Sequence, residues 1–329
     1  MEDRMSVAPR TSDATMDHLF VAQGTFMSVP SRREVAKPDV AIVGVPFDVG
    51  THPYRIGARQ GPNHIRHHSA PARRYLADQA RDPIGRLAVA DWGNVEVVPG
   101  RPDLMPDTVA TAIGEIVDLG AVPIALGGDG TITLPLLRAL RQAHGDLAVV
   151  HFDAHTDSYP LSPGERLTTS TTFTCAVQEG LIRPANSLHL GVRGTAYFPD
   201  TIKEANSLGF QTVTCEDLLA AGPVEAGELI RDRTNGLPTY LCWDMDFYDP
   251  AAAPGVAAPE WGGVTAREGI AFLRSLDGLT VVGADVGTVS PPHDCAGMTG
   301  SLAARTVLEI LALLAPSGGR DLGSQMGAI

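Results

Sequence analysis

The chain has 329 residues, 44% of them hydrophobic, with a formal net charge of −13 and four cysteines. That is enough for one large α/β domain. No apolar run is long enough to span a bilayer, Met1 to Arg33 lacks the apolar core of a secretory signal, and the acidity argues against a nucleic-acid or anionic-membrane surface. Cys175, Cys215, Cys242 and Cys295 show no C-x-x-C spacing, so a reduced, cytoplasmic protein without disulfides is expected.

Residues 1–37 read as an irregular N-terminal arm, residues 38–315 as a single domain, and residues 316–329 as a loose tail. The first strand is the β-branched run Val40 to Val45, of the kind buried on both faces. A loop follows, then Gly57 to Pro62 leads into a helix, Pro62 suiting its first turn. Leu87 to Ala90 is a short strand ended by Asp91-Trp92-Gly93-Asn94. Helical periodicity covers Thr108 to Leu119, and Val122 to Leu126 is a strand running into Gly127-Gly128-Asp129-Gly130. A helix runs to His144, and Leu147 to Phe152 is the next strand. Strands at Ser187 to Val192, Phe210 to Val213, Thr239 to Trp243 and Leu279 to Ala284 alternate with helices at Thr201 to Leu208, Pro223 to Arg233, Thr265 to Leu276 and Met298 to Leu314. This alternation predicts βαβ units in a parallel sheet of about eight strands with helices on both faces.

The sharpest motif closes the fourth of these strands: His151-Phe152-Asp153-Ala154-His155-Thr156-Asp157. In extended backbone, residues two apart point to one side. Asp153, His155 and Asp157 thus present carboxylate and imidazole together, a set suited to Mn²⁺, Zn²⁺, Ni²⁺ or Fe²⁺ rather than Ca²⁺. Asp244 and Asp246 repeat the spacing after a later strand. Ligands of parallel α/β sheets sit at the C-terminal strand ends, so both clusters are expected in one crevice.

These motifs, with Gly44-Val45-Pro46-Phe47-Asp48, Gly57 to Pro62, Gly127-Gly128-Asp129, Gly191-Val192-Arg193-Gly194, Asp244 to Pro250 and Val289-Ser290-Pro291-Pro292, make the chain resemble the ureohydrolases: arginase, agmatinase, guanidinobutyrase and proclavaminate amidinohydrolase. The resemblance implies a three-layer α/β/α sandwich with an eight-stranded, mostly parallel sheet. It also implies Mn²⁺ or Ni²⁺, one or two ions, and hydrolysis of a guanidine carbon. Asp153 and Asp244 would bridge the ions, His155 and Asp246 would complete one position, and Asp157 would serve the other and the chemistry. Trimers or hexamers are the implied assemblies.

Three positions depart from the family pattern. Gly130 stands where relatives carry the histidine of G-G-D-H, which weakens the Asp157 side. Thr169 stands where many carry a proton-shuttling histidine. Thr288 stands where a glutamate pairs with the substrate guanidinium. Thr288, Thr169 and Trp261 are the candidate substrate-binding positions, and His293 is a candidate replacement acid. Two functions fit. One is a metal-dependent hydrolase of an agmatine-like or modified guanidino compound. The other is a degenerate partner subunit of a hetero-oligomeric ureohydrolase, as in the metformin hydrolases. A mononuclear site like that of the related deacetylases fits less well, because the paired histidines of those enzymes are missing.

Overall fold

The computed structural model describes residues 24–50, 54–98, 100–161 and 167–316. Its framework is one eight-stranded sheet in the order β2-β1-β3-β8-β7-β4-β5-β6. The strands are β1 (Val40–Gly44), β2 (Val89–Asn94), β3 (Val122–Leu126), β4 (Ala148–Phe152), β5 (Leu188–Val192), β6 (Gln211–Thr214), β7 (Thr239–Asp244) and β8 (Val281–Gly287). Every pairing within the sheet is parallel. β3 and β4, consecutive in the chain, are separated by β8 and β7. At that switch point the connections diverge, and a crevice opens at the C-terminal strand ends.

The strands alternate between two apolar layers, as the two-residue period demands. On β4, Val149 joins the layer containing Val109, Ile113, Leu137 and Leu140. Val150 and Phe152 join the opposite layer with Trp243, Phe247, Val307 and Leu311. The first layer is roofed by helices Met105–Asp118 and Thr133–His144, and the second by Gly61–Ser69, Ala266–Arg274 and Met298–Leu314. This is the expected three-layer sandwich.

Most elements fall within a few residues of their predicted bounds, and Met298–Leu314 matches them at both ends. Two differ for identifiable reasons. β2 continues through Asp91 to Asn94, because Asp91 accepts from the buried Arg66 guanidinium and its polar side chain is thereby satisfied inside the strand. The helix predicted from Pro223 begins at Cys215, capped by the Thr214 hydroxyl, and breaks at Gly222 (φ 73°) just before the proline.

The predicted arm divides at the edge of the described residues. Its described part, from Gly24, packs onto the domain: Phe26 is buried, its N–H bonds Asp91 at 2.7 Å, and Met27 N–H bonds Ser69 Oγ at 2.7 Å. Residues 1–23 and, from the predicted tail, 317–329 lie outside the described residues. Among the described residues no helix is long and apolar enough to cross a membrane.

Candidate metal centre

β4 and β7 are neighbours, with His151 beside Cys242 and Phe152 beside Trp243. Their ends therefore deliver Asp153 and Asp244 side by side. Asp153 is anchored by its N–H to Leu190 C=O on β5. Its Oδ1 accepts from His155 N–H at 2.8 Å and lies 3.0 Å from His155 Nδ1. Asp246 sits in the helical turn Met245–Phe247, its Oδ2 3.7 Å from His155 Nδ1. Arg193 fixes that turn by donating to the carbonyls of Asp246, Tyr248 and Glu260. Gly287 of β8 lies against Asp244, and a Cβ there would run into Asp244 Oδ1.

The structure brings all five predicted ligands together. Ligand atoms of Asp153, His155 and Asp246 lie within 4.8 Å of one another, and so do those of His151, Asp153, Asp157 and Asp244. The four carboxylates are 1–4% exposed. Both Asp244 oxygens and Asp246 Oδ1 are buried without a hydrogen-bond partner. Buried carboxylate oxygens ordinarily find donors, so this convergence of orphaned acceptors fits a divalent cation. The mixed N/O donor set fits the first-row divalent ions expected from the motif.

The electrostatics agree. Burial raises the carboxyls of Asp244 and Asp246 well above the ordinary range, and the charge of Asp153 adds to it. Asp157 is pushed up to about 8 by burial and by Asp153. Burial opposes charge on Asp153 too, but His155 and His151 outweigh it and hold that carboxyl low. His155 is lifted to about 10, its desolvation overcome by Asp153 and Asp246. The metal-free crevice is an array of like charges relieved by two imidazoles and by retained protons.

A cavity of about 980 Å³ opens above the cluster. Asp153, His155, Asp157 and Asp246 form its floor, and Thr169 and Thr288 are on its wall. Tyr159, Tyr197, Phe198, Arg55 and Glu260 line it further out. Arg55 is already committed to the carbonyls of Val256 and Pro254. Thr288 is buried at φ 65°, and its hydroxyl accepts from Met245 N–H at 3.1 Å. A β-branched residue there is strained, and its side chain serves the Asp244–Asp246 turn. Gly130 faces Asp157 and Thr169: a Cβ would stand 2.9 Å from Thr169 Cγ2 and 3.0 Å from Asp157 Oδ2.

Two predicted site residues are not among those lining the cavity. Trp261 is 74% exposed, and His293 is turned to the Ile56 backbone. Conversely, the sequence reading leaves His151 unassigned. The two-residue period through Asp157, His155 and Asp153 reaches it in one further step back. His64 pairs with Asp294 at 2.8 Å and does not line the cavity.

Parallel strands split at a switch point, with an acidic, imidazole-bearing crevice at their ends, define an arginase-fold protein of the ureohydrolase superfamily. The chain belongs to the arginase family, whose model matches residues 38–313. It is 37% identical to guanidinopropionase of Pseudomonas aeruginosa over 95% of this chain and 98% of that one. It is 36% identical to mitochondrial agmatinase of Gallus gallus, over 88% and 85% respectively. The solved proclavaminate amidino hydrolase of Streptomyces clavuligerus superposes with a TM-score of 0.84 at 35% identity, covering 90% of this chain and 98% of that chain.

Proposed function

We propose that this chain is a metal-dependent hydrolase that cleaves a C–N bond of a guanidino compound, agmatine-like or modified, on a rebuilt active site. The observation that carries this reading is the convergence of orphaned, buried oxygens from Asp244 and Asp246 on Asp153 and His155. Asp153 and Asp244 would bridge two ions, His155 and Asp246 would hold one, and Asp157 would serve the other. A divalent ion bound there supplies Lewis-acid activation of a hydrolytic water. Mn²⁺ and Ni²⁺ are the proposed ions, and Asp157 is the proposed catalytic carboxylate on its side of the crevice. The cavity wall beside Thr169 and Thr288 accepts the substrate. A cytoplasmic site of action is part of the proposal, and four free cysteines are in keeping with a reducing compartment.

A second reading rests on a specific observation. Gly130, Thr169 and Asp157 close on one another, and Thr288 turns its hydroxyl inward. The side that should carry a shuttle and a guanidinium anchor is thus filled by neutral side chains. In this reading the chain is a degenerate subunit of a hetero-oligomeric trimer or hexamer, and a competent ureohydrolase partner carries the chemistry.

One assay separates the two. The purified chain, grown with Mn²⁺ or Ni²⁺, is tested for release of urea or amine from a panel of guanidino compounds, alone and after co-expression with a ureohydrolase that keeps G-G-D-H. Turnover by the chain alone supports the first reading. Turnover only in the co-expressed complex, with the partner's carboxylates required and Asp244 of this chain dispensable, supports the second.

A further inference from the structure

We propose that His151 is a metal ligand of the Asp157 side, supplying the imidazole that Gly130 does not. The proposal rests on the metal-binding half of the reading above and not on turnover. His151, Asp153, Asp157 and Asp244 place one ligand atom each within 4.8 Å of one another. His151 is completely buried, and its Nε2 has no aligned hydrogen-bond partner. It lies 3.0 Å from Asp153 Oδ2 and 3.5 Å from Asp244 Oδ2, between the two carboxylates that would share the ions. A buried nitrogen within reach of two carboxylates, one of them with both oxygens unpartnered, stands where a ligating imidazole would share an ion with them.

A second observation concerns the other ring nitrogen. Ligating histidines almost always commit their second N–H to a fixed partner, which sets tautomer and ring orientation. Here Ser158 Oγ donates to Thr156 C=O at 3.0 Å, so that oxygen accepts from His189 Nε2–H at 2.9 Å. His189 is itself completely buried against Phe210, with a serine and a histidine but no carboxylate as its hydrogen-bond partners, so it has nothing to hold a charge. Its Nδ1 is then the acceptor for His151 Nδ1–H, 2.9 Å away. The chain of bonds leaves Nε2 as the His151 nitrogen presented to the carboxylates, and an entering ion takes the place of its proton. The rings are clamped, His189 stacked on Phe210 at 4.2 Å and His151 against Phe173 at 4.6 Å.

Position 130 cannot supply the ligand from the other side. A Cβ there already meets Thr169 Cγ2 and Asp157 Oδ2. An ion on the Asp157 side therefore takes its nitrogen from β4 below.

The test is Ni²⁺ titration of the metal-free full-length chain, read by calorimetry and by metal content after gel filtration. The wild type is expected to bind two ions. His151→Phe, which keeps an apolar ring against Phe173, is expected to bind one, with the affinity of the lost step down at least about tenfold. His151→Gln is the second variant, and the melting temperature of each metal-free variant certifies the fold. Fewer than two ions in the wild type overturns the proposal, and so does an unchanged count in a folded variant. Anomalous scattering from nickel-loaded wild-type crystals gives a check that needs no variant. The expected Ni–Nε2 distance is about 2.0–2.1 Å, the range for metal–imidazole bonds. An ion on the Asp157 side without Nε2 in its shell overturns the assignment. A chain that binds two ions and hydrolyses nothing sinks the hydrolase reading and leaves this one standing.

Discussion

The methyl group of Thr169 stands 2.9 Å from where a side chain at Gly130 would begin. The two departures from the family pattern are therefore neighbours in space: the Thr169 methyl stands against the position a side chain at 130 would take. Gly130→His alone is expected to overpack this corner, at about 1–3 kcal/mol. Adding Thr169→Ser removes the obstructing methyl and should recover part of that loss. Urea denaturation of the two variants measures the difference. Equal stabilities would show that the two positions do not constrain each other.

Gly287 makes a matching prediction on the opposite side. A Cβ there overlaps Asp244 Oδ1, so Gly287→Ala must push that carboxylate aside. Calorimetry should show Ni²⁺ or Mn²⁺ binding weakened at least about tenfold in a chain that retains its far-ultraviolet circular dichroism. Unaltered metal affinity would mean that Asp244 does not ligate.

Metal uptake should depend on pH with a definite sign. His155 is held up to about 10 in the metal-free chain, and imidazole must lose its proton to ligate. Raising the pH between about 6 and 8 removes competing protons. Apparent affinity should then rise about tenfold per unit for each proton displaced. Titrations in buffers of different ionisation enthalpy count those protons directly. Affinity that stays flat across this window would argue that His155 remains outside the shell.

Away from the site, Glu309 ties helix Met298–Leu314 to the rest of its layer. It is buried and accepts from Arg274, Arg305 and Gln79. Burial alone would raise its pKa, but the two guanidinium groups and the amide lower it. A depressed carboxylate contributes stability that is present above its unfolded value and lost as pH falls through the folded one. Glu309→Gln should therefore cost about 1–3 kcal/mol at neutral pH, discounted because both arginines are partly exposed. It should also flatten the acid limb of the stability curve below about pH 4.5. Thermal melts at neutral and acid pH test both parts.

The sheet and the acidic crevice were legible in the sequence because both rest on short periods. Apolar runs mark strands, and alternate positions mark a shared side. That is why Asp153, His155, Asp157, Asp244 and Asp246 come together as expected. Thr288 was harder to read, because only the fold reveals that its hydroxyl is turned to Met245 N–H and its backbone held at positive φ. Trp261 and His293 sit in Pro- and Gly-rich loops, whose course no periodicity fixes, and neither lines the cavity. His151 was hidden by its setting. It lies inside an apparently apolar strand, and its partners Cys242 and His189 belong to β7 and β5, distant in sequence.

The strand order has a consequence for how the molecule is made. β1 to β3 form one half-sheet and β4 to β6 the other, and the two share no sheet pairing until β7 and β8 enter between them. A growing chain must therefore carry two half-sheets with open inner edges until β7 and β8 emerge. The last strands act as a keystone, and the same insertion that joins the halves brings Asp244 to Asp153. Newly made chain offers no complete cradle for an ion until Asp244 and Asp246 have emerged, so loading comes late in synthesis.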